Sequence, residues 1–286
     1  MKKVLLLFIC LSLLISCNHD KETKVFPDDD GPLILDQLAN NYEQLPEKQI
    51  AQDLNRNTYA QYAIPTEIYG HGVLGDKIEA QQLVVVVDGA FYQHTLPNDY
   101  VFEDIRPRLY DVDGDSELEF ITIRANIFQG AGIAIYKIID EKLVEYAYVP
   151  EIGTPNRWLN IVTIADLDND GLVEIVWIET PHIGGILKVA KINSGALQVL
   201  AQKAQYSNHG IGERNLCLSV LTSQSNTKPF YVPSQSRDKI VGFTFSNNEF
   251  FDFEEIPQAI DFSKTLASQY SFRDVIEDED NCIIVN

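Results

Sequence analysis

The sequence predicts an all-β fold that is built from repeated four-stranded units. Two segments, beginning at Arg108 and Val162, repeat one pattern: an apolar strand, an acidic loop and a second apolar strand. The first aspartates of the two loops are 55 positions apart, and further short apolar runs with Gly-containing or polar turns follow each loop. Helical periodicity is absent from both segments. Four short strands in about 50 residues are typical of the blades of a β-propeller.

The remaining strands of the repeats can be placed along the chain. After the two acidic loops, strand-like runs lie at 132–136, 143–148, 185–189 and 196–201. A third copy has runs at 216–221, 230–233, 239–245 and 249–254. Its loop at 222–226 lacks the acidic spacing, so we expect no metal there. A further blade is predicted from runs at 82–88, 90–95 and 100–103, and one or two strands from 271–276 and 282–285. We count about five blades, or six if 33–60 adds strands, although that stretch reads as helical or irregular.

The first residues predict export and a lipid anchor. Lys2 and Lys3 precede an apolar run that is too short to span a bilayer. Cys17 follows a small residue at the end of this run, which resembles a bacterial lipobox; an ordinary secretory signal is the alternative. Asn18, directly after the cysteine, favours the outer membrane and leaves the membrane face open. We expect three regions: a signal peptide over 1–16, a lipidated Cys17 with a flexible tether over 17–34, and a propeller domain over 35–286.

The charge of the chain limits its partners. Asp and Glu number 42 against 22 Lys and Arg, which gives a formal net charge of −20. Nucleic acids and anionic lipid surfaces bind basic surfaces, so neither is expected as a partner. We expect a monomer that meets the membrane through its lipid and takes a glycan or a protein as ligand.

Two cysteines remain beyond the predicted signal and lipid site. Cys217 and Cys282 each lie in an apolar, strand-like run. An exported protein can form a disulfide between them, but buried free thiols are equally compatible with these surroundings.

The acidic loops predict two calcium sites. Ca²⁺ takes six to eight oxygen ligands in flexible geometry, and an Asp-x-Asp-x-Asp loop turns its first, third and fifth side chains inward. A backbone carbonyl follows at position seven and a carboxylate at position nine. The predicted ligands of the first site are Asp111, Asp113, Asp115, the carbonyl of Glu117, and Glu119. Those of the second are Asp166, Asp168, Asp170, the carbonyl of Leu172, and Glu174. The alternative is a pair of solvated acidic turns.

The spacing of these loops resembles a known repeat. The pattern apolar-x-Asp-x-Asp-x-Asp-x-x-x-Glu-apolar is similar to the FG-GAP/VCBS repeat, as in the propeller of integrin α subunits. The resemblance covers roughly residues 60–255, is specific in two blades, and points to a bacterial lipoprotein branch. It implies a calcium-binding propeller but no particular reaction. Ser116 stands where the repeat usually has Gly, which predicts a small strain in the loop and no lost ligand.

Three histidines lie in Gly-rich connections and suggest a ligand site. In a propeller, connections at comparable blade positions can surround the central channel, and polar groups that converge there are a default ligand site. We hypothesise one pocket for an acidic or hydroxylated ligand, built from His71, Arg157, His182, His209, Arg214 and Arg237. The alternative is that these side chains only satisfy buried carbonyls between blades. The histidine spacing is not that of a transition-metal site.

The sequence favours a binding module over an enzyme. It contains no nucleophile elbow, phosphate loop or dinucleotide fingerprint. We expect an interaction module of the cell envelope with two bound Ca²⁺ ions. An enzyme that acts on an extracellular polymer through the His and Arg residues, and a structural part of an envelope assembly, are the alternatives.

Overall fold

The computed structural model describes residues 30–193, 196–222, 228–258, 262, 275–277 and 283–285. Antiparallel β-sheets dominate, which confirms the all-β prediction. Within these residues no helix has the length and apolar character needed to cross a membrane. The predicted signal, Cys17, Asn18, most of the loop at 222–226 and Cys282 fall outside the described residues.

The described elements form a helix and a series of antiparallel units. The chain begins with α1 (Asp30–Asn41), and a short 3-10 helix, Leu54–Arg56, follows β1. Unit 1 contains β1 (Ile50–Asp53), β2 (Thr58–Thr66), β3 (Glu79–Val87) and β4 (Ala90–Thr95). Unit 2 contains β5 (Tyr100–Phe102), β6 (Arg108–Tyr110), β7 (Glu119–Asn126), β8 (Gly130–Ile139) and β9 (Lys142–Val149). Unit 3 contains β10 (Leu159–Ala165), β11 (Glu174–Glu179), β12 (Ile186–Asn193) and β13 (Ala196–Ala204). Unit 4 contains β14 (Val220–Leu221), β15 (Phe230–Pro233), β16 (Lys239–Ser246) and β17 (Glu249–Pro257), and a hairpin of β18 (Val275–Glu277) and β19 (Ile283–Val285) follows.

Within each unit, strands that follow one another in the chain pair with each other, because the turns that join them bring them side by side. Units 3 and 4 are separate four-stranded sheets, whereas units 1 and 2 share a nine-stranded sheet through one bridge, Ala80 to Phe102. In unit 2 the first strand is interrupted, so β5 and β6 both pair with β7. β19 lies beside β14.

The upstream blade was predicted with the wrong boundaries. The runs at 82–88 and 90–95 are β3 and β4, the last strands of unit 1, while 100–103 contains β5, the first strand of unit 2. The missing strands come from 33–60, which holds α1 but also β1 and the start of β2. The run at 216–221 is a strand only over its last two residues.

The hydrophobic core lies between successive units. Ala60 and Phe102 represent the layer between units 1 and 2, Ile123 and Trp177 the layer between units 2 and 3, and further layers join units 3 and 4. The other face of unit 1 is covered by α1, through Ile34 and Leu38. The apolar faces of the sheets therefore pack against each other, and the strand ends carry the polar groups.

Cys217 takes part in a disulfide bond, which excludes a free thiol at this position. Its side chain is buried, at 7% exposure.

The two kinds of polar loop lie at opposite ends of the units. In an antiparallel unit, the turn between the first two strands and the connection between the second and third lie at opposite ends. The acidic loops are turns of the first kind. At the end opposite the acidic loops, backbone hydrogen bonds link the connecting segments to one another: Gly212 N–H donates to the Val73 carbonyl and Gln235 N–H to the Gln205 carbonyl. We call this end the connection face; its segments are 67–78, 150–158, 180–185, 205–219 and 234–238.

Candidate functional site

The first acidic loop is closed by hydrogen bonds to its own backbone. Asp111 Oδ1 accepts from Gly114 N–H at 2.7 Å, and Asp111 Oδ2 accepts from Ser116 N–H at 2.9 Å. Glu119 is buried and its Oε2 accepts from Val112 N–H at 2.8 Å. Gly114 and Ser116 have φ angles of +79° and +74°, so Ser116 takes the left-handed conformation that its replacement of Gly predicts.

The second acidic loop repeats this geometry. Asp166 accepts from the backbone N–H groups of Asp170 and Gly171, and Gly171 has a φ of +86°. Glu174 is buried and its Oε2 accepts from Leu167 N–H at 2.6 Å. The first aspartate and the last glutamate therefore hold the loop backbone in both repeats.

A lysine lies at the centre of each loop. Lys137 Nζ is 2.6 Å from Asp113 Oδ2 and 2.8 Å from Asp115 Oδ2. The same ammonium is 2.7 Å from Glu119 Oε1, in an ion pair without hydrogen-bond geometry. It also lies 5.3 Å from the centre of the Tyr146 ring, within reach of a cation–π contact.

Lys191 repeats this arrangement in the second loop. Its Nζ is 3.2 Å from both oxygens of Asp168 and 2.6 Å from Asp170 Oδ2. It is 2.6 Å from Glu174 Oε1, again as an ion pair. Strand pairing explains the position, because Lys191 stands directly across from Glu174 in the register of β11 and β12.

These contacts change the acidity of the carboxyl groups. Hydrogen bonds from the lysines lower the pKa of Asp115 and of Asp170 below the usual value. Burial raises the pKa of Glu119, although Lys137 opposes the change. Burial alone would lower the pKa of Lys137, but its hydrogen bonds to Asp113 and Asp115 outweigh burial and raise it. The ammonium is charged at neutral pH.

The acidic loops share only part of their geometry with a calcium site. Carboxylate oxygens do converge: one each from Asp111, Asp113 and Asp115 lie within 4.8 Å of one another, as do one each from Asp166, Asp168 and Glu174. Both oxygens of each first aspartate, however, accept backbone N–H groups, and an ammonium takes the centre. In this arrangement the residues do not form a calcium site, and bound calcium stays a prediction.

A chain of polar contacts crosses the connection face. His209 Nε2 is 2.8 Å from the Glu213 carbonyl oxygen, which only accepts, so this nitrogen carries the proton. The His209 Nδ1 atom therefore accepts from His182 Nε2–H at 2.9 Å. Trp158 lies against both rings, parallel to His182 with 6.2 Å between ring centres and edge-on to His209 at 4.7 Å.

The chain continues to a buried carboxyl group. The Trp158 indole N–H donates to the Glu103 carbonyl oxygen at 2.9 Å, and His71 Nδ1 lies 2.6 Å from Glu103 Oε1. Glu103 directly follows β5, at the interruption of the first strand of unit 2, and is 0% exposed. Its Oε2 is buried without a hydrogen-bond partner. We call His71, Glu103, Trp158, His182 and His209 the histidine cluster.

Burial sets the charge state of the histidine cluster. It raises the pKa of Glu103, with the neighbouring Asp104 charge adding to the effect, and raises the pKa of Glu79 to about 10. Burial also lowers the pKa of His182 and of His209 to about 4. At neutral pH Glu79 is therefore protonated, and the imidazoles of His182 and His209 are neutral. Perturbed groups of this kind are concentrated at functional sites, although buried structural networks also produce them.

The structure brings part of the predicted pocket together. His182 and His209 are in contact, and the charge of His71 contributes to lowering the pKa of His182. Arg157 and Arg237 are half-buried on the same face; Arg157 adds to the lowered pKa of His71, and Arg237 to those of both other histidines.

Arg214 differs from the other predicted pocket residues. Its side chain is 41% exposed and forms ion pairs with Glu47 and Asp76. These contacts attach the 205–219 segment to the first unit and occupy the guanidinium.

Sequence reasoning missed Glu79, Glu103 and the two lysines. Nothing near Glu103 in the sequence marks it as buried, since it stands in an acidic pair with Asp104. The lysines do leave a signal: each follows the last loop glutamate at nearly the same distance, on the third strand of its unit.

No protein family model matches the chain, and no curated protein matches it either. It is similar to a rhamnogalacturonan lyase of Bacillus licheniformis, with 13% identity, 62% of this chain and 42% of that chain covered, and a TM-score of 0.36. It is similar to the rhamnogalacturonan lyase YesW at 14% identity, with 63% and 43% covered and a TM-score of 0.39. It is also similar to a periplasmic gluconolactonase of Pseudomonas aeruginosa, PpgL, at 14% identity, with 62% and 51% covered and a TM-score of 0.34. The chain spans about half the length of these proteins. At TM-scores this low the likeness carries no argument, and the FG-GAP/VCBS resemblance gains no support.

Proposed function

We propose that this chain is an exported, lipid-anchored β-propeller of about five blades that binds a ligand on its connection face. The successive four-stranded units, with core layers between them, support the propeller. The basic start, the apolar run and Cys17 support lipidation and a place in the outer membrane. The chain then acts as a monomeric interaction module of the cell envelope.

The observation that carries the ligand site is the histidine cluster with its two arginines. Neutral imidazoles and a carboxyl group can both exchange hydrogen bonds with hydroxyl groups. Within the described residues, Arg237 has no ion pair, and the Arg157 side chain donates only to the Asn156 carbonyl. Cations without carboxylate partners beside neutral hydrogen-bonding groups fit a hydroxylated ligand that carries a carboxylate, such as an acidic glycan fragment.

Titration calorimetry with uronate-containing and neutral oligosaccharides tests this proposal. We expect the uronate ligands to bind more tightly. Replacement of Arg157 or Arg237 by Gln should weaken that binding about 10- to 100-fold, because a charge-assisted hydrogen bond contributes about 1.5–3 kcal/mol. Arg56→Gln is a matched control, since it removes a cation that pairs with Asp53 in the turn between the first two strands of unit 1, at the opposite end from the connection face. Equal effects of all three variants, or no binding of any oligosaccharide by the wild type, would contradict the proposal.

An enzyme that acts on an extracellular polymer is the second candidate. The observation in its favour is a carboxyl group with a raised pKa, Glu103, in contact with the imidazole of His71. A protonated carboxyl can act as a general acid at neutral pH. Product release from a polysaccharide panel, abolished by Glu103→Gln while binding persists, would favour catalysis; binding without turnover would favour the interaction module. Co-purification of a partner from membranes would indicate the third alternative, a structural role in an assembly.

A further inference from the structure

The two acidic loops each place the same three carboxylates around one cation. In each loop, the third and fifth positions and the buried glutamate surround a lysine Nζ. The lysine comes from the third strand of the same unit, across from the glutamate. This recurrence in two separate sheets argues against an accidental surface ion pair.

The geometry suits an ammonium. A lysine ammonium has three N–H donors and no acceptor, and each loop presents three carboxylate groups to it. Lys137 and Lys191 are each only 8% exposed, so the charges that surround them are needed to offset the loss of water. The first aspartate of each loop accepts backbone N–H groups with both carboxylate oxygens, and the described residues show no ion pair between it and the lysine.

The same geometry leaves no room for a divalent ion. Ca²⁺ binds oxygen at about 2.3–2.6 Å. The Lys137 nitrogen is 2.6 to 2.8 Å from the oxygens that would have to bind it. An ion and an ammonium cannot occupy one position, and their like charges repel over a few ångströms.

We propose that Lys137 and Lys191 are the resident cations of the two acidic loops, so that each loop closes around an intramolecular ammonium and folds without a bound metal ion. Calcium would enter only where the lysine is removed. This inference concerns the ends of the units away from the connection face and does not depend on the proposed ligand site.

Calcium binding to the full-length protein and to single-lysine variants tests the inference. The wild type should show no calcium heat in titration calorimetry and the same melting temperature in CaCl₂ as in EDTA. Lys191→Met keeps the unbranched chain out to its Cε position and removes the charged terminal nitrogen. It should melt lower than the wild type in EDTA and gain calcium affinity by at least about 100-fold, because the ammonium no longer repels the ion.

A matched control is available on the same strand. Lys188 pairs with Glu179 at 2.6 Å, outside the acidic loop. Lys188→Met also loses an ion pair, but it should gain no calcium affinity. If Lys191→Met does not fold, Lys137→Met applies the same test to the other loop, and the wild-type measurement needs no variant.

The calcium responses of the wild type and of the loop-lysine variants decide the inference. Calcium-independent wild type together with a calcium response in a loop-lysine variant supports the inference. A wild type that binds calcium and loses melting temperature in EDTA overturns it and restores the two predicted calcium sites. A loop-lysine variant that folds but gains no calcium affinity also overturns it, because the ammonium would then not be what excludes the ion.

Discussion

Substitution of Ser116 measures the free-energy cost of backbone strain in the first acidic loop. Its φ of +74° places an L-residue in the left-handed region, while Gly171 takes the same position in the second loop with a φ of +86°. Left-handed conformation costs a residue with a Cβ about 1–2 kcal/mol. The greater conformational freedom of glycine stabilises the unfolded chain and offsets about 0.4–1 kcal/mol of the gain from removing this strain. Ser116→Gly should therefore raise the free energy of unfolding by about 1 kcal/mol.

The reciprocal change, Gly171→Ser, should lower the free energy of unfolding by about the same amount. A Cβ at this position meets no atom within 4 Å, so the cost is conformational and not a clash. Urea midpoints measure both changes, and the melting temperature should move by about 2–4 °C in opposite directions.

Ser116→Ala distinguishes strain from hydrogen bonding. It keeps the Cβ and removes a hydroxyl that makes no hydrogen bond to any of the described residues, so its stability should match that of the wild type. If alanine stabilised as much as glycine, or if Ser116→Gly gave no gain, the strain argument would be refuted.

Three further predictions concern the connection face. The folded-state pKa of His182 and His209 lies near 4, below the usual 6.5, so the unfolded chain binds more protons between these values. The free energy of unfolding should therefore fall as pH drops from about 6.5 to 4. Urea unfolding across this range should show a smaller loss for His182→Gln than for the wild type. Burial raises the pKa of Glu79 to about 10 in the folded protein. Its contribution to the free energy of unfolding is therefore fully present below pH 4.5 and is lost as pH rises toward 10. Glu79→Gln should lose less stability between pH 5 and 9 than the wild type does. Arg214→Ala removes exposed ion pairs, so it should cost less than about 1 kcal/mol of unfolding free energy in urea titrations and leave the oligosaccharide affinity unchanged.

The sequence carried enough information for most strands and for the shape of the acidic loops. Alternation of apolar residues located units 2 to 4, and the Asp-x-Asp-x-Asp spacing located turns whose φ angles include the unfavourable one at Ser116. Unit 1 was misjudged because 33–60 mixes a real helix with β1 and β2, and because β2 contains Pro65, which weakens its strand pattern.

The cation of the loops could not be read from spacing alone. A lysine in a strand reads as a solvated residue, since lysine side chains are rarely buried. Only the register between the second and third strands shows that Lys191 faces Glu174. The histidines were identified because glycine-rich connections are visible in a sequence, whereas the burial that raises the pKa of Glu103 depends on packing between units.

The charge of the whole chain narrows the ligand proposed for the connection face. A net charge of −20 repels polyanions at long range, so a ligand rich in carboxylates would be disfavoured before it made contact. Two arginines can each pair with a carboxylate at short range, where contact geometry outweighs a field that salt screens within about 10 Å. The acidic loops, whose charge is partly offset by their own lysines, lie at the other end of the units. A mostly hydroxylated ligand with one or two carboxylates therefore satisfies both the local chemistry of the histidine cluster and the acidic surface around it.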